Sequence, residues 1–369
     1  MAESVDTRLS ELRAELDALD CELQRLLNER ARLVLDVGAH KREHAERTGE
    51  ALVFHRPERE AQILRAVAQR NAGPYPTEAA VRLFREIISV CLNLELDLGV
   101  GYLGPEGTFS QAAALQHFGL NARGVPLPSI AEVFRQVENG TLHYGVVPIE
   151  NSTEGAVNHT LDCLLRSQVS VCGEVAMPIH HHLLVGPGMG TQSTITRIFS
   201  HQQSLAQCRG WLDLHWPHAE RVAVASNGEA ARMVADGADA AAIAGELAAT
   251  RYGLTFRSRS IEDDPNNTTR FIVIGRHEVA ASGRDKTSLL VATHNEAGAL
   301  YRILEPLHRR GINLTRLEAR PARTSNWTYV FFLDIEGHVS DTSVAAAVAA
   351  IRLLAMDVKV LGAYPRAEA

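Results

Sequence analysis

The chain has no Cys-x-x-Cys pair, no surplus of positive charge and no apolar run long enough to cross a bilayer, and each absence removes a class of function. Its five cysteines, Cys21, Cys91, Cys163, Cys172 and Cys208, leave one over. Neither a zinc knuckle nor a disulfide framework fits them, and reduced thiols in a cytoplasm fit better. A net charge of −7 offers no dense basic patch, so nucleic acid is not an expected partner. Local charge can still hold a small anion. Residues 1–30 are rich in Glu, Arg and Asp, which argues against an export signal, and no membrane association is expected. With 369 residues, 46% of them apolar and 22% charged, the chain can build two or three globular domains, each with its own core.

Apolar residues then recur at steps of three and four: Leu9, Leu12, Leu16, Leu19, Leu23, Leu26, Leu33 and Val37. That is the seam of one long helix, reaching about His44 with no proline in it. So long a seam is expected to face a helix of another subunit, which implies a homodimer. Pro57 can open a second helix carrying Ile63, Leu64 and Val67, the segment NAGPYPT is a turn, and a third helix places Phe84, Ile88, Cys91 and Leu98 on one face.

From Val100 to Gly275 short apolar strands alternate with helical patterns, predicting an α/β unit with a mainly parallel sheet and room for two lobes and a cleft. SIAE at 129–132 is a capping box that opens one of its helices. After Arg276 the order is strand, helix, two strands, helix, strand, a ferredoxin-like α+β arrangement.

A second stripe on the long helix reads Arg13, Leu16, Asp20, Leu23, Leu27, Arg30, Val34, Val37, Lys41. Three cations share this stripe with six other residues, five of them leucine or valine, and need compensation, either by a bound anion or by carboxylates such as Glu11, Glu29 or Asp20, unless the side chains snorkel to solvent. Arg30 and Lys41 lie about 16 Å apart along a helix and can converge on one ligand, whereas Arg13 lies about 26 Å from Arg30. Arg13 can join them only from a second subunit. Glu95 adds a carboxyl one turn from Cys91.

LRAELDALDCELQRLLNERARLVLDVG, then Lys41, then PERE, resembles the helical chorismate mutases over nearly all of residues 8–98. The resemblance implies an all-α, intertwined dimer that rearranges chorismate to prephenate, with Arg13, Arg30, Lys41, Arg59 and Glu60 on the family's site positions. Cys91 stands where serine is expected and Glu95 where glutamine often donates a hydrogen bond to the ether oxygen. A glutamate donates only when protonated, so Glu95 on its apolar face is expected to have a raised pKa.

In the α/β unit, GPEGTFS at 104–110 follows a strand and opens a helix, where backbone N–H groups can meet an anion, but it lacks the lysine of a P-loop. VVPIENSTEG, the Ser200–His201 strand end followed by Gln207, and TTRF at 268–271 before a strand FIVIG supply further polar strand ends, where ligands of such sheets bind. GPEGTFS, PIENS and TTRF together resemble prephenate dehydratase over residues 100–275, a two-lobed fold like that of periplasmic binding proteins. The resemblance implies loss of hydroxide and carbon dioxide from prephenate to give phenylpyruvate. It assigns Thr269 to the leaving hydroxyl, Asn151, Ser152, Thr153, Ser200 and Gln207 to the substrate, and Arg270 to a substrate carboxylate or to bracing the loop. No cofactor and no metal are implied. His180, His181 and His182 are read as strand packing, because no companion carboxylate or cysteine lies at useful spacing.

AGAL at 297–300 and LEARP at 317–321 resemble the ACT regulatory domain. The resemblance implies phenylalanine binding at a subunit interface near Gly298, Ala299, Leu300, Asn313, Leu314 and Glu318, with Ala319 in place of the usual serine. The resulting expectation is three domains, helical (1–98), dehydratase-like (99–277) and ACT (286–369), in a bifunctional chorismate mutase/prephenate dehydratase inhibited by phenylalanine. A non-enzymatic carboxylate sensor with an ACT module is the rival reading.

Overall fold

The computed structural model describes residues 2–49, 53–189, 194–235, 239–321 and 329–367. The chain divides into two compact units: Met1–Arg56 with Ile63–Leu98 and Leu120–Ala122, and Pro57–Gln62 with Gly99–Gly119 and Arg123–Ala369.

In the first unit, α1 (Ala2–Thr48) runs unbroken for 47 residues, about 70 Å. It packs on α3 (Thr77–Glu95), with a close approach at Gly38, where an added Cβ would lie 3.2 Å from the Glu95 Cγ. Between α1 and α3 in the sequence, α2 (Pro57–Arg70), of which residues 63–70 belong to this unit, starts on its proline, which lacks the N–H that a first turn leaves unused. Asn71 closes the following turn by donating Nδ2 to the Tyr75 carbonyl and Thr77 Oγ1. α3 stops at Glu95, so Leu98 is not on its apolar face as the sequence suggested; it is buried beyond the helix end. The α1 seam is bare: Leu9, Leu12, Leu16, Leu19, Leu23 and Leu26 are 41–60% exposed.

The second unit opens with β1 (Gly99–Leu103), α4 (Phe109–Phe118), β2 (Arg123–Leu127), α5 (Ile130–Glu138), β3 (Tyr144–Asn151), β4 (Gly155–Ala156), α6 (Asn158–Arg166) and β5 (Ser170–Pro178). The chain then crosses to a second lobe made of β6 (His182–Val185), β7 (Arg197–His201), α7 (Gln202–Gln207), α8 (Arg209–His215), β8 (Glu220–Val224), α9 (Asn227–Ala235), β9 (Ala240–Ala244), α10 (Glu246–Tyr252) and β10 (Thr255–Ser258). It returns as β11 (Thr268–Gly275). The segment expected as one helix after Ser204 is two, broken at Cys208. Asp236 and Gly237, placed in a helical pattern from sequence, lie outside the described residues.

Neither sheet is mainly parallel, contrary to expectation. The first has the order β2-β1-β3-β11-β5 with β4 on β3, and β11 is antiparallel to both neighbours. The second, β10-β6-β9-β7-β8, has antiparallel pairs at β10-β6 and β6-β9. The cause is the double crossing, because a strand that returns from the other lobe enters the sheet from the opposite end. Thr268, Thr269 and Arg270 are therefore part of strand β11 and do not precede it.

The remaining elements are β12 (Asp285–Thr293), α11 (Ala299–His308), β13 (Leu314–Pro321), β14 (Tyr329–Glu336), α12 (Thr342–Leu354) and β15 (Asp357–Pro365), with the sheet order β13-β14-β12-β15. Trp327 and Thr328, assigned to a strand from sequence, lie outside the described residues. Alternate residues serve two cores. Leu289, Val291 and Phe331 pack on α11 and α12, while Leu290, Phe332, Leu361 and Tyr364 join Ile272, Ile274 and Val171 of the first lobe. Among the described residues no helix is long and apolar enough to cross a membrane.

At the back of that second core, a Cβ on Gly362 would fall on the Val171 backbone. Gly362→Ala is expected to lower stability by about 1–3 kcal/mol, the usual cost of overpacking, read as a reduced denaturation midpoint. A midpoint equal to wild type would show that β15 and β5 separate freely.

Candidate functional site

A cavity of about 1050 Å³ lies in the two-lobed part of the second unit, lined among others by the 104–110 loop, Asn151, His181, Gln207, Asn227 and Thr269. The loop turns at Gly107, whose φ of +80° suits a residue without Cβ. Thr108 then caps α4, its Oγ1 accepting from the Gln111 N–H at 3.4 Å. Ser129 caps α5 in the same way, as its capping box predicts.

Asn151, at the end of β3, is the hub of the polar wall. Its Oδ1 accepts from the backbone N–H groups of Thr153 and Glu154, each at 3.1 Å, and from Thr153 Oγ1 at 2.6 Å. Its Nδ2 donates to Thr269 Oγ1 at 2.8 Å and to Asn267 Oδ1 at 2.9 Å. Gln207 donates from Nε2 to Thr153 Oγ1 at 2.9 Å, and its Oε1 accepts from Asn267 Nδ2 at 3.1 Å. One network thus ties both crossover segments to both lobes.

Other expected residues sit elsewhere. Ser200 is fully buried, its hydroxyl within donating distance of the Ile243 carbonyl at 2.7 Å and of Asn227 Oδ1 at 3.0 Å. It supports the wall from behind and is not among the lining residues. Ser152 accepts from the Thr268 N–H at 3.0 Å, and so fixes β11 instead of facing the cavity. Arg270 points away from the cleft, because its neighbour Thr269 takes the cleft side of the strand. Its guanidinium reaches Glu174 Oε2 at 2.8 Å, Asp334 Oδ2 at 2.5 Å and the Tyr364 hydroxyl at 3.0 Å. Lys286 shares Glu174, and Ser288 bridges Asp334 to Tyr364. These contacts tie β11 to the first lobe and to the ferredoxin-like module, where the sequence suggested a substrate carboxylate or the loop.

His181 and Asn267 were missed as members of this network. The histidine triplet does not share a strand: only His182 begins β6. His180 pairs with Glu262 at 2.7 Å, a carboxylate too distant in sequence to be found by spacing. Among the described residues no group of histidine, cysteine and acidic side chains is arranged to hold a metal.

In the helical unit Arg30 Nη1 lies 2.7 Å from the Cys91 Sγ, and Lys41 Nζ lies 3.9 Å from Glu95 Oε2 and 3.1 Å from the Phe54 carbonyl. Glu11 and Glu29 are taken by Arg8 and Arg25, so they do not compensate the cationic stripe. The Glu95 side chain is 5% exposed. Burial raises its pKa above the ordinary carboxylate value, against the opposing pull of Lys41 and Arg42. Arg13 is exposed far along α1, while Arg59 is exposed and Glu60 half-buried in the first turn of α2. In the C-terminal module Gly298 takes a φ of +78° before α11, which Ala299 and Leu300 open. Asn313 is exposed at the approach to the edge strand β13, which carries Leu314 and Glu318.

Comparison with known proteins bears on all three regions. The prephenate dehydratase family matches residues 100–279, chorismate mutase type II residues 12–96, and the ACT domain residues 287–353. The chain is 52% identical to the bifunctional chorismate mutase/prephenate dehydratase of Pseudomonas aeruginosa over 98% of each chain. To that of Neisseria gonorrhoeae it is 47% identical, covering 100% of this chain and 99% of the other. Among solved structures, prephenate dehydratase from Arthrobacter aurescens in complex with L-Phe is similar, with a TM-score of 0.67 and 35% identity over 73% of this chain and 90% of that one.

Removing the Arg270 cation would leave Glu174 and Asp334 buried with too little positive charge. Arg270→Met is expected to cost about 3–5 kcal/mol, the usual penalty for breaking a buried pair from one side, measured by denaturant unfolding. A loss below about 1 kcal/mol would mean that Lys286 alone compensates the acids.

Proposed function

The chain belongs to the family of bifunctional chorismate mutase/prephenate dehydratases, and on that premise we propose that its helical unit rearranges chorismate to prephenate and its cleft converts prephenate to phenylpyruvate. The Asn151–Thr269 contact at 2.8 Å on the cavity wall carries the second half of this reading. Asn151 donates to the threonine oxygen, which leaves the Thr269 O–H free to donate into the cleft. There it meets the hydroxyl that leaves as the bond to carbon dioxide breaks and its electron pair makes the ring aromatic. The departing hydroxide takes up a proton passed through the Thr269 hydroxyl and becomes water, and Thr269 is reprotonated from solvent. Gln207 and Thr153 hold Asn151 for this step, with Ser152 and Ser200 fixing β11 and the wall from behind.

The mutase reaction is pericyclic and needs no nucleophile, so the residues hold a compact conformer and stabilise charge at the breaking ether bond. Arg30 and Lys41 do this in one subunit beside Cys91, the family resemblance assigns Arg59 and Glu60 to the same reaction, and Arg13 comes from a second copy. The bare leucine seam of α1 supports a homodimer, since a helix of that length gains most of its stability from packing. Neither reaction as written requires a metal or an organic cofactor. Phenylalanine is the proposed effector, bound by the C-terminal module at a subunit interface near Gly298, Ala299, Leu300, Asn313, Leu314 and Glu318. Arg270 would link that module to the strand carrying Thr269. The domains are taken as 1–98, 99–277 and 286–369, in a cytoplasmic protein.

Incubation with chorismate should release prephenate and then phenylpyruvate, and added phenylalanine should slow the second step. Absence of both products would favour a carboxylate sensor. Thr269→Ala should reduce dehydration at least a hundredfold and spare the mutase, in line with the contribution of one positioned proton donor; parallel loss of both activities would point to unfolding instead.

A protonated Glu95 can donate to the ether oxygen, but above its raised pKa it can only accept. Mutase turnover should therefore fall as pH rises through that value, and the limb should vanish in Glu95→Gln. Profiles of the same shape in the two proteins would exclude this role.

A further inference from the structure

We propose that His181 is a positioning residue for dehydration, bracing the Gln207 side chain that, through Thr153, steadies the Asn151 amide against Thr269. The proposal rests on the dehydration reading of the cleft. It begins from two donors that cannot be reversed, the backbone N–H groups of Thr153 and Glu154, both directed at Asn151 Oδ1. They fix the Asn151 amide, so its Nδ2 must donate to Thr269 Oγ1 and to Asn267 Oδ1. Asn267 is thereby oriented in turn, and its Nδ2 donates to Gln207 Oε1. Gln207 then presents Nε2 to Thr153 Oγ1, and the Thr153 hydroxyl proton goes to Asn151 Oδ1.

The direction of every bond in this ring follows from the inventory of donors and acceptors. It leaves Gln207 Oε1 able to accept one more hydrogen bond, and the atom in place is His181 Nε2 at 2.9 Å. His181 must therefore carry its proton on Nε2. Its other nitrogen, Nδ1, is a buried lone pair with no partner among the described residues, in a residue only 1% exposed. A histidine included for packing alone would not be left with an unsatisfied nitrogen, since buried polar groups are ordinarily paired. Burial lowers the pKa of the ring, with the Gln207 contact and Glu262 opposing and His180 adding to the fall, so the neutral ring is the working form. Phe109 of the 104–110 loop packs edge-on against it at 5.5 Å, which holds the ring plane.

The place of His181 in the chain gives the contact its purpose. It lies in the crossover between β5 and β6, its carbonyl accepting from the Ile261 N–H of the returning crossover at 2.8 Å. Gln207 is on the second lobe and Thr153 on the first, so their bond at 2.9 Å spans the lobes. Fixing Gln207 from the crossover itself preserves the ring of bonds that leaves the Thr269 proton unclaimed.

The test uses the full-length protein with prephenate as substrate. His181→Leu keeps bulk and removes the donor, and should lower kcat roughly tenfold with KM nearly unchanged, the size expected for one lost hydrogen bond. His181→Gln restores an N–H at the position of Nε2 and should recover most of that loss. Equal losses in both variants, a change in KM alone, or no change would overturn the proposal. If His181→Leu does not fold, proton–nitrogen NMR of the wild-type imidazole decides: the Nε2–H tautomer is required, and the Nδ1–H tautomer would overturn it. A wild type that leaves prephenate untouched would refute the function of the cleft itself and is distinguishable from all of these results.

Discussion

Arg270 lies on the back of the strand whose front carries Thr269, and its guanidinium is held by Glu174, Asp334 and the Tyr364 hydroxyl. A cation so enclosed is tolerable only if its acceptors stay in place. Asp334 and Tyr364 belong to the C-terminal module and Glu174 to the first lobe, so the charge fixes the module to the sheet. The shared apolar core of Leu290, Phe332, Leu361 and Tyr364 with Ile272 and Val171 supplies area around it, and the close approach of Gly362 to Val171 sets the spacing. One strand therefore faces substrate chemistry on one side and the regulatory module on the other.

Features that repeat along the chain were legible in the sequence. The α1 seam follows from a step of three and four, the turn at 71–77 from its glycine and prolines, and the α5 start from Ser129 and Glu132. The polar strand ends identified Asn151, Gln207 and Thr269, which meet in one network. What stayed hidden depends on partners far apart in sequence. Nothing near Arg270 announces Asp334, and nothing near His180 announces Glu262. The direction of β11 is a property of the route between lobes, and periodicity does not record that. Ser200 was read as facing substrate because it ends a strand, but the bond to the Ile243 carbonyl turns it inward.

The two proposed sites use burial in opposite senses. In the helical unit, burial raises the Glu95 pKa and favours a neutral acid that can donate. At the cleft, burial lowers the His181 pKa and keeps the ring neutral, with one nitrogen free. In both places exclusion of water shifts a titratable group toward its uncharged form, so hydrogen-bond direction, more than net charge, sets what each site can do.

The return of the chain through β11 also bears on how the protein is made. β11 lies between β3 and β5, so the first sheet stays open along its middle until the whole second lobe has been synthesised. An emerging chain at that stage presents two unpaired strand edges, which invite pairing with other chains. The active cleft and the closure of the sheet arrive with the same few residues, Thr268 to Gly275. A ribosome that stalls before them leaves a product with neither a completed dehydratase cleft nor cover for those strand edges.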